Sequence, residues 1–407
     1  MATLPVKWYH SFMRGFPVIA GVAGNLITAL DAVLVNGFGQ VTAASATIDS
    51  GYITINLSNN ETFEKYSVVE LLNNPLVNGE YRVLESTNTY IKVKTDLSNQ
   101  VLTGTLYVKY APLGWTKITP SQANKALYVP KTSFSGFNIY VNDNYRSCAE
   151  VRLCRGAIDN STIPDYSALI DPVPLTASNT SSYWAKSYNN DTTRFTAHFI
   201  IGDPSTLYFQ WGLTHTYSLS GLRKGKICGC GDIIRYSEDD DLAAFLTTGT
   251  NTFSVLDYYS NNYSNQSMQM VSTQNINYSD PINTTFLGNH LGVKGNNFAG
   301  RIPENRYGTQ WSGYNDLSVY QSLNNKGLEL SKLLAVNLDT VRGEYPGIYF
   351  IPFKFSSTDD MIVEEGSGSL AGRLIMLKCA AAGNTNYDDS TVSDNSIVAF
   401  DITGPWR

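Results

Sequence analysis

Cys228-Gly229-Cys230 sets two thiols one residue apart, and thiolates are strong ligands for soft metals. The pattern is C-x-C, not the C-x2-C of a zinc ribbon, and no Cys/His pair follows at finger spacing. A site built from Cys228, Cys230 and a distant His is one reading; small residues packed beside a tight turn is the simpler one. The other cysteines are Cys148, Cys154 and Cys379, too few for a disulfide scaffold, and the sequence leaves metal binding and disulfide pairing open. Paired acids are the next candidates, because glycan hydrolases work with two carboxylates about 5–10 Å apart. Asp359-Asp360, Glu364-Glu365 and Asp388-Asp389 are each adjacent in sequence, and neighbours on a strand point to opposite faces. Trp184, Tyr188, Tyr258 and Tyr259 are rings that could stack on sugars or equally serve a protein interface. Glu238-Asp239-Asp240-Asp241 could hold Ca²⁺, but acids at the start of a short helix over Asp241 to Leu246 explain the same run. His10, His198, His215 and His290 are scattered, and no nucleophile-elbow, zincin or P-loop motif is present. The reading is therefore non-enzymatic, with no catalytic, cofactor or metal residue assigned.

The elements that would carry these residues are β-strands. Charged residues are only 16% of 407, against about 25% in an ordinary domain, and Asn, Ser, Thr, Gly and 26 Tyr take their place. That mixture is poor for surface helices and good for strands and turns. A formal net charge of −6 argues against nucleic acid as a main partner. Phe16 to Val35 is the longest apolar stretch, but Asn25, Thr28 and Asp31 interrupt it. Leu26, Leu30, Val33 and Leu34 share one helical face, and Asn36-Gly37 supplies a stop, so the spacing predicts a short amphipathic helix packed on protein rather than in a membrane. No export signal is evident, and the N-x-[ST] sequons read as chance in an Asn-rich chain.

Three regions follow: an N-terminal docking segment with its helix over 1–40, a small antiparallel β module over 41–112, and a larger, irregular β-sandwich-like domain with long loops over 113–407. In the module, alternation predicts strands at Tyr52 to Leu57, Ser67 to Leu71, Tyr81 to Glu85, Tyr90 to Lys94 and Thr103 to Tyr110. Beyond it the strongest runs are Gly136 to Val141, Ala149 to Cys154, Arg194 to Ile201, Thr206 to Gln210, Gly231 to Tyr236, Tyr345 to Phe355, Arg373 to Ala380 and Ser396 to Ile402. Residues 251–330 are irregular, and Asn275 to Gly313 reads as contact surface in an assembly.

Several segments resemble a family of tailed-bacteriophage virion structural proteins. They are Val6 to Ser11, Gly21 to Ile27, Leu34 to Gly39, the element Leu76-Val77-Asn78-Gly79-Glu80-Tyr81-Arg82-Val83, the step Gly114-Trp115-Thr116-Lys117, and Asn124 to Tyr128. Gly231 to Tyr236, Arg342 to Tyr349 and Asp401 to Arg407 extend the similarity to the end of the chain, though it is dense only in the first 130 residues. The resemblance implies a particle component, made in the host cytoplasm and resident in the virion. Its partners would be other virion proteins and copies of itself in a symmetric homo-oligomer. The expected place is tail, collar or baseplate; the alternatives are a capsid decoration protein and a host-glycan-binding receptor protein or depolymerase. Trp8, Tyr9, Phe12, Leu26, Leu30 and Trp406 are the residues expected to form the assembly interface.

Overall fold

The computed structural model describes residues 4–58, 62–118, 122–146, 148–155, 182–187, 195–212, 225–238, 244–247, 284–290, 298–301, 330–337, 340–350, 360–381 and 395–407. Within them the chain is mainly β, and all its strand pairings are antiparallel. Eight strands, β2 (Phe38–Thr42), β3 (Ser45–Asp49), β4 (Tyr52–Asn56), β5 (Val68–Leu72), β6 (Gly79–Ser86), β7 (Tyr90–Lys94), β8 (Gln100–Leu102) and β9 (Tyr107–Tyr110), make one sheet. Its order is β2-β9-β5-β6-β7-β4-β3-β8. Strand β6 belongs to both halves: Gly79 to Arg82 pair with β5, and Val83 to Ser86 pair with β7 across a register shift. Such an irregularity bends a strand, which lets the sheet close over its own apolar face. Ile53, Ile55, Val83, Ile91 and Val93 fill that face with no exposed surface.

A five-stranded meander follows: β10 (Thr116–Ile118), β11 (Lys125–Val129), β12 (Phe137–Asn142), β13 (Cys148–Arg155) and β14 (Ser182–Ala185). The remaining strands form a thirteen-stranded sheet among the described residues, with β1 (Lys7–His10) at one edge. It contains β15 (His198–Asp203), β16 (Thr206–Gly212), β17 (Gly225–Asp232), β18 (Ile234–Arg235), β19 (Ala244–Thr247), β20 (Thr284–His290) and β21 (Phe298–Arg301). It is completed by β22 (Ser331–Asn337), β23 (Thr340–Phe350), β24 (Ile362–Glu365), β25 (Leu374–Ala381) and β26 (Asn395–Asp401). One apolar core runs through all three sheets.

Three expectations change, and a fourth falls mostly outside the described residues. The apolar stretch before the module holds only a six-residue helix, α1 (Asn25–Leu30), continued by a π-helical turn at Asp31–Asn36. Of those residues only Thr28 and Asn36 are exposed. The segment is thus a buried connector between sheets and not an amphipathic docking helix. Ala244 to Leu246, expected as helix, are strand β19, buried on both faces between β17 and β20; a short continuous apolar run inside a sheet has no alternation to reveal it. Asp239 to Asp241 lie outside the described residues. Cys228 and Cys230 sit in mid-strand on β17 and not beside a turn, with Gly229 between them because a Cβ there would meet the Tyr208 ring at 2.7 Å. The region 275–313, expected as contact surface, includes strands β20 and β21; the rest of it lies outside the described residues.

Candidate functional site

The six residues expected to face partners are used inside the chain. Trp8 is 4% exposed, stacks on Phe199 at 6.4 Å and donates its indole N–H to the Tyr66 carbonyl at 3.3 Å. Tyr9 is buried and donates its hydroxyl to the Ala111 carbonyl at 2.6 Å. Leu26 and Leu30 are core residues, and Phe12 is half-buried against His10. Trp406 is 6% exposed and lies over Gly347, where any Cβ would collide with its ring; its indole donates to the Asp401 carbonyl at 2.7 Å. Strand β1 is an inner wall because each of its four side chains meets another sheet or the module, as Lys7 does at Glu80, 2.8 Å away. Apolar residues that look like a docking patch in sequence are here the seam between sheets.

The other candidates are placed as follows. Asp360 receives the fully buried Lys378 ammonium at 2.7 Å and the Cys379 amide at 2.8 Å, so it anchors β25. Glu364 and Glu365 are exposed on β24. Asp359, Asp388 and Asp389 are outside the described residues, as are Tyr188, Tyr258 and Tyr259. Trp184, expected as an exposed sugar-stacking ring, is fully buried and stacks on Phe209 at 5.2 Å. Cys148, Cys228, Cys230 and Cys379 are buried thiols, not disulfides. Burial pushes the Cys228 and Cys230 thiols well above their usual range, away from the thiolate a metal needs. No group of three His, Cys, Asp or Glu gathers round a possible ion among the described residues.

What the sequence does not announce is a groove over α1, built from the inside outward. Asp143, at the end of β12, and Lys186, after β14, form an ion pair with no exposed side-chain surface. Asp143 Oδ2 accepts the Leu26 amide at 2.8 Å and the Ile27 amide at 3.2 Å, satisfying the first donors of α1. Lys186 Nζ also donates to the carbonyls of Val22 at 2.8 Å and Tyr145 at 2.6 Å. Desolvation pushes the Asp143 carboxyl up to about 6, and Lys186 opposes it; burial likewise lowers the Lys186 ammonium. The pair pins the loop at Val22–Gly24 and the start of the helix.

Above this anchor, Asn25, Thr28 and Asp31 form one wall and Lys117 with residues 122–125 the other, of an open groove of about 500 Å³. Asp31 is held in place by the Tyr128 hydroxyl at 2.8 Å and the Lys117 ammonium at 2.6 Å. Asn124 stands opposite in the left-handed region, with φ 56°, and its side chain donates to Asn144 Oδ1 at 3.3 Å. Asn25, Thr28, Gln122 and Lys125 complete the polar lining, and the Lys125 ammonium donates to Gln122 Oε1. One carboxylate among amides, a hydroxyl and two ammonium groups suits an oxygen-rich ligand and is a poor metal set.

A second polar cluster joins β1 to the module. His10 Nδ1 accepts the Phe12 amide at 3.1 Å, leaving its Nε2 facing Glu64 Oε1 at 3.9 Å. The Tyr110 hydroxyl hydrogen-bonds the same carboxylate. Burial, reinforced by Lys378 and opposed by Asp360, lowers the His10 imidazole to about 4, and burial raises the Glu64 carboxyl. His198 falls to about 4 for the same first reason. Its Nε2 lies 3.3 Å from the Ala185 carbonyl, while Nδ1 is buried without a hydrogen-bond partner in the described structure.

Comparison of the chain with protein-family models and with curated proteins finds no match.

Proposed function

We propose that the chain is a non-enzymatic structural component of a tailed-bacteriophage particle, placed in the tail, collar or baseplate. It would work by multivalent docking, many copies each making modest contacts within a symmetric assembly. The observation that carries the reading is how the segments resembling virion proteins are locked together. Arg407 reaches Asp203 Oδ2 at 3.1 Å, Thr206 Oγ1 at 2.7 Å and the Asp232 carbonyl at 2.6 Å, while β1 pairs with β15 along Lys7 to His10. Segments far apart in sequence thus close one continuous core, as suits a subunit that must keep its shape under load. Docking falls to surface features other than the six residues first expected, among them Val18 at 46%, Phe134 at 48% and Tyr236 at 57% exposure. Gold labelling of this chain on purified particles, viewed by electron microscopy, tests the reading. Label at the tail or baseplate supports it. Label over the whole head moves the protein to capsid decoration, and washed particles without label overturn the structural role.

A further inference from the structure

We propose that the groove between α1 and residues 122–125 binds a carboxylated saccharide. The inference does not depend on where in a particle the chain sits. Its volume, about 500 Å³, lies within the ordinary range of small-ligand sites, about 300–1,000 Å³. Its polar groups are spread along both walls. Asn25 uses its amide N–H on the Val18 carbonyl at 3.4 Å, and Asn124 uses its own on Asn144, so each has an amide oxygen left to accept. Thr28 donates to the Gly24 carbonyl at 3.0 Å and retains acceptor capacity. Acceptors of this kind, spaced across a groove, match the donating hydroxyls of a sugar ring.

The charge supplies the second half of the specificity. Two ammonium groups, Lys117 and Lys125, stand against one carboxylate, Asp31, in a chain whose formal net charge is −6. Lys117 donates one N–H hydrogen bond to Asp31, and an ammonium has three N–H donors. The groove is therefore a local cationic site on an acidic protein, fit for a carboxylate carried by the ligand. A peptide would want a large aromatic or Arg anchor in its site, and none of the described lining residues is aromatic. The buried Asp143–Lys186 pair fixes the floor before any ligand arrives, which lowers the ordering cost of binding.

Isothermal titration calorimetry on the full chain tests this with three probes: a glucuronate-containing tetrasaccharide of hyaluronan, neutral maltotetraose, and a hexaglutamate peptide. The hyaluronan fragment is expected to bind saturably below about 1 mM, with maltotetraose at least about tenfold weaker. Lys125→Met is expected to weaken the hyaluronan fragment about tenfold, the loss of one charge-assisted contact. Thr28→Val, a second surface change with an independent readout, should weaken it too while circular dichroism stays unchanged. Absence of saturable binding by the hyaluronan fragment overturns the proposal, as does unchanged affinity in both variants. Hexaglutamate binding as tightly as the sugar also overturns it, in favour of a peptide site.

Discussion

The module of residues 38–110 and the thirteen-stranded sheet are built from the same antiparallel strands, yet they hold their interiors by different means. In the module, most inward positions on β3, β4, β6 and β7 are aliphatic, and the ion pairs within it stay partly or fully exposed, as with Lys92 and Glu85, 2.9 Å apart and 36% and 46% exposed; its more buried ionic contacts, Glu80 to Lys7 and Glu64 to His10, are made with β1. The large sheet and the neighbouring meander bury Lys186, Lys378, Asp143, Asp203, Asp232, Asp401, His10 and His198. A buried charge is tolerable only when its partners are in place. The module's stability therefore follows from alternation and packing, whereas the larger body depends on particular pairings between distant segments.

The contrast can be broken most sharply at Lys186. Lys186→Met strands the Asp143 carboxylate under the groove and removes the anchor of α1, and should cost about 3–5 kcal/mol in chemical denaturation. Within the module, Ile53→Ala leaves a cavity and should cost about 3 kcal/mol. Hydrogen exchange should show that loss concentrated in β3, β4 and β7; a loss spread evenly over all three sheets would erase the distinction between the regions.

Acid separates them next. Both histidines bind protons less readily folded, at about 4, than unfolded, near 6.5. Their contribution is therefore complete above pH 6.5 and is lost as pH falls towards 4. Comparing the chain with His10→Asn at pH 7 and pH 5 isolates the His10 share, expected at about 2 kcal/mol. The raised carboxyls of Glu64, Asp203 and Asp232 act in the opposite sense, so the variant comparison and not the raw pH curve is the readout. Equal pH dependence in both proteins would remove His10 from the account. The smallest effect belongs to the module's surface: Lys92→Met should leave the chemical-denaturation midpoint unchanged within measurement error.

The same division sets what was legible in the sequence. Strand β7 spans Tyr90–Lys94 as alternation alone predicts, and β4 differs from its expected span by one residue. The eight-stranded sheet lies within residues 38–110 and shares one apolar core with the other two sheets. Three of its strands were not legible: Phe38–Thr42 directly follows the apolar helical stretch, Ser45–Asp49 is largely small and polar, and Gln100–Leu102 is a three-residue edge. In the larger body the buried run at Ala244 to Leu246 carried the wrong period signal. The groove was hidden more deeply, because its anchor joins Asp143 to Lys186, 43 residues away, with no local pattern linking them. One of its walls was nonetheless in view, since Lys117 and Asn124–Lys125 lie in segments singled out for their resemblance to virion proteins. The six docking residues misled for one physical reason: large apolar side chains near a chain end look alike whether they seal a core or a partner.

The placement of β1 has a consequence for how the protein is made. Ser11 hydrogen-bonds His198, 187 residues later, and the strand beside it cannot pair until β15 has been synthesised. At about 5–20 residues per second, that is a delay of roughly 10–40 s. Throughout it the module can already fold against Tyr9, while Trp8 lacks its Phe199 neighbour and β1 keeps an unpaired edge. Newly made chains thus present a bare strand to one another during this interval.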